Sequence, residues 1–564
     1  MNTELAGILL IFLLTLFLAI PFGRYIAKVL SGEKTLLDFI SPLENFIAKV
    51  SSIDLKAEMN WKQSIKAMLT INLIWFLFAM LILMNQGWLP LNPDGNSSMS
   101  PDLAFNTAIS FLVNCNLQHY SGETGVTYLS QLVCLLFLQF VSAATGLAAA
   151  AIVFNALKER TTNQLGNFYN YFIKSITRIL LPLSFIIAIL LMVNGMPMTF
   201  EGKQSIITLQ GDSIQVSTGP VAAFVAIKHL GTNGGGWFGT NSAHPFENPN
   251  YFTNVVEMVS QFIIPLAMIF ALGFYLQRKK LAWMIFGVMT VGFLCLVIPT
   301  IIMELNGNSE IAKMGIDMSA GAMEGKEVRF GTTASAYWSI LTTVISTGSV
   351  NSFHDSFMPL SGMNQMLAMM VNAFYGGCGV GLLNFFIFLI IAVFISGLMV
   401  GRTPEFLGKK IEAREMKIAI IVTLVSALLL KGGTACAAYL FANDPSLPWL
   451  NNSGFHGFSE MLYEYTSSNA NNGSGFEGLG DNNPWWNIST GIILLLSRFI
   501  PIIGPVAIAG ILANKKYIPE SAGTLKTNTV TFGVMTFAVI VIVTALSFFP
   551  ALVLGPIAEY FTMH

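Results

Sequence analysis

Charge is scarce in this chain. Asp, Glu, Lys and Arg make up 10% of its 564 residues, against roughly a quarter in soluble proteins, which excludes a soluble domain with an ordinary charged surface. The net charge of −1 leaves no basic surplus for nucleic acid. The five cysteines (Cys115, Cys134, Cys295, Cys378 and Cys436) lie far apart with no CxxC pair, so neither a zinc site nor a disulfide framework is indicated. The six histidines (His119, His229, His244, His354, His456 and His564) all fall outside the long apolar runs. A membrane enzyme or electron-transfer subunit would place histidines or paired carboxylates within them. An Asp-Lys-Thr-Gly-Thr phosphorylation motif and a Walker-type loop are both absent, and Gly234-Gly235-Gly236 is not followed by the Lys-Ser/Thr of a phosphate cradle. The chain is therefore expected to hydrolyse nothing by itself.

What fills the sequence is apolar: 54% of the residues, with a positive mean hydropathy. Runs long enough to cross a bilayer recur ten times, near 5–23, 66–85, 129–154, 175–194, 254–276, 282–303, 380–400, 417–441, 489–511 and 529–553. The first has Glu4 where a signal peptide needs basic residues, and is read as a retained helix. If all ten span, 22 lysines and arginines fall on one side and five on the other (Lys203, Lys228, Lys313, Lys326 and Arg329), with Lys431 and Arg498 in or beside spans. The basic side is then cytoplasmic and both termini face outward. Lys431 is placed near a span end, where it would snorkel.

The connections after the second, fourth, sixth and eighth runs share a design: a short amphipathic helix, then a small polar tract. The first helix starts at Ser100-Pro101, and its tract is Asn114-Cys115-Asn116-Leu117-Gln118. The others start at Gly219-Pro220, Gly331 and Ser453 and end in tracts containing Thr232-Asn233-Gly234, Ser346-Thr347-Gly348 and Asn471-Asn472-Gly473. With Gln118, Gly234, Gly348 and Gly473 as equivalent points the intervals are 116, 114 and 125 residues, an internal fourfold repeat. Repeats are assigned to 66–156, 171–276, 281–400 and 417–514, with extra segments 1–65 and 527–564. The predicted fold is all-α and integral to the membrane, with ten transmembrane helices and four helix–pore-loop–helix units about a pseudo-fourfold axis. Such loops suit an ion that exchanges its hydration shell for backbone carbonyls. Irregular backbone survives at membrane depth only inside protein or along a watery cavity.

The segments Phe105-Asn106-Thr107-Ala108, Gln118-His119-Tyr120-Ser121-Gly122-Glu123, Gly231-Thr232-Asn233-Gly234-Gly235-Gly236, Gly401-Arg402-Thr403-Pro404-Glu405 and Asn469-Ala470-Asn471-Asn472-Gly473-Ser474 resemble the potassium-binding subunit family of the Kdp-type potassium-transporting ATPase, over essentially the whole chain. The resemblance implies a potassium filter built from Asn114, Cys115 and Asn116, Thr232, Asn233 and Gly234, Ser346, Thr347 and Gly348, and Asn471, Asn472 and Gly473, with Gln118 as the non-glycine central position of the first loop. It implies potassium as the transported ion, no cofactor or transition metal, and high-affinity uptake across a bacterial inner membrane. Its partners would be an ATP-hydrolysing P-type subunit, a third small subunit and a single-span peptide. The rival reading is a stand-alone potassium or sodium transporter of the same pore-loop superfamily, driven by ion gradients.

Three further features stand out. Arg498, inside the ninth run, must face protein or water; it either bars direct exit beneath the filter or serves as a snorkelling or ion-paired structural residue. The Gly376-Gly377-Cys378-Gly379 entry to the seventh run, with Ser396-Gly397 and Gly401-Arg402 further along, marks either a gate or a site of close packing, so Gly377, Gly379 and Arg402 are coupling candidates beside Arg498. The mixed charges between Arg402 and Lys417 suggest a short helix, either a docking surface or a solvated face.

Overall fold

The structure is a computed structural model that describes residues 3–399, 401–519 and 526–563. Val400, at the predicted end of the seventh span, and the outermost terminal residues lie outside the described residues. Among the described residues, ten helices are long and apolar enough to cross a membrane. In chain order the elements that matter are α1 (Thr3–Ser31), α2 (Ser41–Val50), α3 (Trp61–Leu83), α4 (Pro101–Leu112), α5 (Ser130–Lys158), α6 (Phe168–Val193), α7 (Val221–Leu230), α8 (Tyr251–Tyr275), α9 (Lys279–Asn306) and α10 (Gly331–Val344). They continue with α11 (Pro359–Val371), α12 (Val380–Met399), α13 (Ala413–Asn443), α14 (Gly454–Ala470), α15 (Pro484–Ala513) and α16 (Val530–Leu552).

Local chemistry fixes the ends of these helices. At α3, the Asn60 side chain accepts from the N–H groups of Lys62 and Gln63 while Gln63 accepts from the Asn60 N–H, a reciprocal cap that satisfies otherwise orphaned donors. Asn250 and Thr253 repeat the arrangement at α8. Pro101 opens α4 at a position where its missing N–H costs nothing.

Four of the helices that do not span, α4, α7, α10 and α14, are almost wholly buried, and each points its C-terminal end into a loop at the centre of the bundle. Each lies between two spans, α3 and α5, α6 and α8, α9 and α12, or α13 and α15. Outside this arrangement, α1 lies along α8, and α16 packs against α9, α11 and α12.

The third unit differs from the rest because its return limb is broken. Helix α11 ends at Asn372, which sits at φ +42°, and α12 begins at Val380; Tyr375, Gly376 and Gly379 between them are also left-handed. The glycines foretold this break. Ser396-Gly397, by contrast, does not interrupt α12, since glycine within a helix costs only about 1 kcal/mol. The stretch after Arg402 is not a helix. Glu405–Phe406 (β1) pairs antiparallel with Lys409–Lys410 (β2) across Leu407-Gly408, both at positive φ, the geometry of a two-residue hairpin turn. Lys409 is buried and donates to the Arg160, Ala513 and Lys515 carbonyls, which ties the hairpin to the ends of α5 and α15.

Candidate pore site

Each short helix is followed by the same backbone figure. Asn114, Thr232, Ser346 and Asn471 have φ between +50° and +63°. The next residue donates its N–H to the carbonyl five positions back: Cys115 to Ser110 at 3.1 Å, and Asn233 to Lys228, Thr347 to Thr342 and Asn472 to Ser467 at 2.9 Å each. The residue after that is again left-handed: Asn116 at +58°, Gly234 at +86°, Gly348 at +84° and Gly473 at +108°. A strand turns successive carbonyls to opposite sides, whereas alternating left-handed residues turn them to the same side. The structural equivalent of the three glycines is thus Asn116, not Gln118, and the true intervals are 118, 114 and 125 residues.

The loops close on one another in cyclic order. A Cβ on Gly234 would collide with the carbonyl oxygen of Thr347, one on Gly348 with that of Asn472, and one on Gly473 with that of Cys115. Thus every residue expected in the filter is brought to this ring except Gln118, which stands beside it as a brace. Its Nε2 donates to the Gly236 carbonyl at 3.0 Å and its Oε1 accepts from the Gly236 N–H at 2.7 Å, joining the first loop to the second. Other struts run behind the ring. Asn114 Nδ2 donates to the Thr232 carbonyl at 2.9 Å, Asn233 Nδ2 to Asn114 Oδ1 at 2.8 Å, and Asn472 Nδ2 to the Thr342 carbonyl at 2.9 Å.

Beneath the ring lies a narrow pocket bounded by Asn114, Ser346, Asn471, Gly377 and Arg498. Arg498 is 4% exposed, and its Nη2 donates to the Ser142 carbonyl at 3.2 Å. Gly377 and Gly379, in the break between α11 and α12, reach this level: Cys378 donates its N–H to Thr232 Oγ1 at 2.9 Å, and Gly379 leaves no room for a side chain against the Gly146 carbonyl. Arg402 does not reach it; it is exposed on the turn before β1. Lys431 is also displaced from its expected place. It is exposed twelve residues before the end of α13, about 18 Å along the helix, rather than at a span end.

Sequence reasoning missed several contributors. Asn372 and Asn384 line both this pocket and a second one between α12, α13, α15 and α16, which Thr423, Ser426 and Thr544 also line. Asn384, an amide inside an apolar run, was the available signal. Lys228 and Lys326 count as outer-loop charges in a topology reading, but both are buried ion pairs. Lys228 meets Glu247 at 2.6 Å, and Lys326 meets Glu304 at 2.9 Å while lying 4.1 Å over the Phe357 ring. On the far side of the ring, His119 contacts Asn487 at 2.7 Å and Glu464 at 3.2 Å. Burial opposes its charge, but Asp481 and Glu464 outweigh burial and push its pKa up to about 9.

The family described as "Potassium-transporting ATPase A subunit" matches residues 9–561. The chain is 70% identical, over the full length of both, to the potassium-transporting ATPase potassium-binding subunit of Flavobacterium johnsoniae. It is 46% identical to the protein of that name from Geobacillus kaustophilus, with 98% of each chain covered. Its fold resembles that of the potassium transporter TrkH from Vibrio parahaemolyticus, with a TM-score of 0.51 at 14% identity, covering 89% of this chain and 98% of that one. The helices, the four inward loops and these matches lead to one conclusion: the chain belongs to the family of potassium-transporting ATPase A subunits.

Proposed function

We propose that this chain binds potassium and passes it into an ATP-driven uptake complex, the four loops acting as the filter. The observation that carries the reading is the repeated left-handed, extended, left-handed backbone, closed into a ring by Gly234, Gly348 and Gly473 against neighbouring carbonyls. Carbonyls of Asn114, Cys115 and Asn116 and of their counterparts take the place of the ion's water. The C-terminal ends of the four short helices add partial negative charge below the ring. Asn114, Ser346 and Asn471 line the cavity where the ion arrives.

Arg498 then acts as a fixed positive charge that repels the ion from the straight path, and Gly377 and Gly379 shape the same floor. The cavity between α12, α13, α15 and α16 shares Asn372, Asn384 and Ser497 with the one beneath the ring. Its polar side chains supply a lateral route toward an ATP-hydrolysing P-type subunit. A third small subunit and a single-span peptide complete the assembly in the bacterial inner membrane, with both termini of this chain outside. The repeats assigned from the sequence, 66–156, 171–276, 281–400 and 417–514, are the units that contribute one loop each.

The test is potassium-stimulated ATP hydrolysis by the chain purified together with its partner subunits, compared with Gly234→Ser over a series of potassium concentrations. A raised half-maximal concentration in the variant supports the reading. A chain that purifies alone and carries potassium without ATP overturns it in favour of a gradient-driven transporter.

A further inference from the structure

Between the first two spans lies a segment that none of the preceding roles uses. Helix α2 shows three faces. Glu44 and Ala48 are buried against the bundle, Asn45 and Lys49 face outward, and Leu43, Phe46, Ile47 and Val50 form a bare apolar stripe. The stripe continues backwards through the short turn before the helix, where Leu36 is 93% and Phe39 74% exposed. The order 36, 39, 43, 46, 47, 50 is the spacing of one helical face.

The segment is held rigidly. Arg178, in α6, grips Glu44 through Nε and Nη2 at 2.7 Å each, reaches Asp38 through Nη1 and donates to Ser41 Oγ at 2.9 Å. Thr177 adds a bond to Glu44 at 2.7 Å. The stripe is thus fixed in direction, and it is not a floppy loop that could fold over onto itself.

Its depth is fixed as well. It follows the end of α1 and precedes the start of α3, both spans, so it lies at the membrane surface on the end where lysines and arginines cluster. The lipid-facing sides of α1 and α3, which expose Leu10, Phe17, Leu73 and Leu77, lead toward the same level. Lys34 and Lys49 stand exposed beside the stripe, as expected of a helix lying in an interface with its cations toward headgroups. We propose that residues 36–50 form an anchor lying in the plane of the bilayer, with Leu36, Phe39, Leu43, Phe46 and Val50 in the acyl region of the basic-side leaflet and Lys34 and Lys49 at its acidic headgroups.

The experiment uses the whole complex. Cys295 and Cys436, the two exposed cysteines, are changed to alanine, and single cysteines are placed by Phe39→Cys, Phe46→Cys and Asn45→Cys. Each is labelled with an environment-sensitive fluorophore. The labelled complexes are reconstituted into phosphatidylcholine and phosphatidylglycerol vesicles, with and without a lipid carrying a nitroxide high on its acyl chain. Labels at positions 39 and 46 are expected to emit to the blue of the label at 45 and to lose most of their emission when the nitroxide lipid is present. Water-like emission at all three positions overturns the proposal. Blue-shifted emission at 39 and 46 that the nitroxide leaves untouched also overturns it, because a protein partner then covers the stripe.

Discussion

Gly348→Ala isolates the closure of the ring in a single methyl group. Gly348 sits at φ +84°, and the new Cβ would occupy the space of the Asn472 carbonyl oxygen. The left-handed backbone alone costs an L-residue about 1–2 kcal/mol, and overpacking against a fixed neighbour adds about 1–3 kcal/mol. The carbonyl cannot swing aside freely, because Asn472 is itself strapped by its N–H to Ser467 and by its side chain to Thr342. If only about 2 kcal/mol of this strain falls on the ion-bound form, affinity drops roughly 30-fold. The assay is the potassium concentration for half-maximal ATP hydrolysis by the assembled complex. Gly95→Ala is the control: Gly95 is also left-handed, at φ +70°, but its Cβ would meet open space, so it carries the backbone cost without touching the ring. A folded Gly348→Ala complex with the same half-maximal potassium and the same ion discrimination as Gly95→Ala would refute the assignment of the filter.

Three other perturbations follow from the geometry. Arg498→Gln is expected to raise potassium flux without ATP in reconstituted vesicles and to increase the ATP used per ion; unchanged flux would mean the arginine only supports Ser142. Lys326→Met leaves Glu304 buried without its cation and is expected to cost about 3–5 kcal/mol, read as a fall in thermal unfolding temperature in detergent that Lys326→Met with Glu304→Leu largely restores. His119 binds its proton more tightly in the fold, its pKa standing at about 9 rather than 6.5. Its contribution, roughly 3 kcal/mol, is complete below pH 6.5, declines as pH rises and is gone above about 9. Thermal stability should therefore decline over that window, and His119→Gln should flatten the decline.

The number and order of the spans were legible because the bilayer demands about 20 apolar residues at a stretch, a requirement that a single sequence satisfies or fails on its own. The break before α12 was legible for a similar reason: Gly376 to Gly379 is too glycine-rich to continue a helix. The first loop was misregistered because its left-handed positions are asparagines, Asn114 and Asn116, and the next polar residue of the tract, Gln118, offered a more conspicuous landmark. The hairpin at 405–410 turns on Leu407 at positive φ, which a leucine does not announce. Lys228 and Lys326 were counted by their place along the chain, whereas their surroundings are set by Glu247, 19 residues on, and Glu304, 22 residues back. Pairing of that kind belongs to the tertiary fold.

The asymmetry of the ring explains the richest glycine run in the chain. Three loops put a glycine at the second left-handed position, and the first puts Asn116 there, the residue type after glycine that tolerates this backbone best. Asn116 nevertheless brings a side chain into a ring sized for none. The room for it comes from the neighbouring loop, where a Cβ on Gly235 would stand 2.7 Å from the Asn116 Cβ. Each glycine of Gly234-Gly235-Gly236 thus answers a different neighbour: the Thr347 carbonyl, the Asn116 side chain, and the Phe238 carbonyl inside its own loop. Gln118 then clasps the third of them through both of its amide atoms. In the folded chain this glycine run is a closely packed edge of the ring. Its second glycine makes room for the asparagine that stands in the first loop.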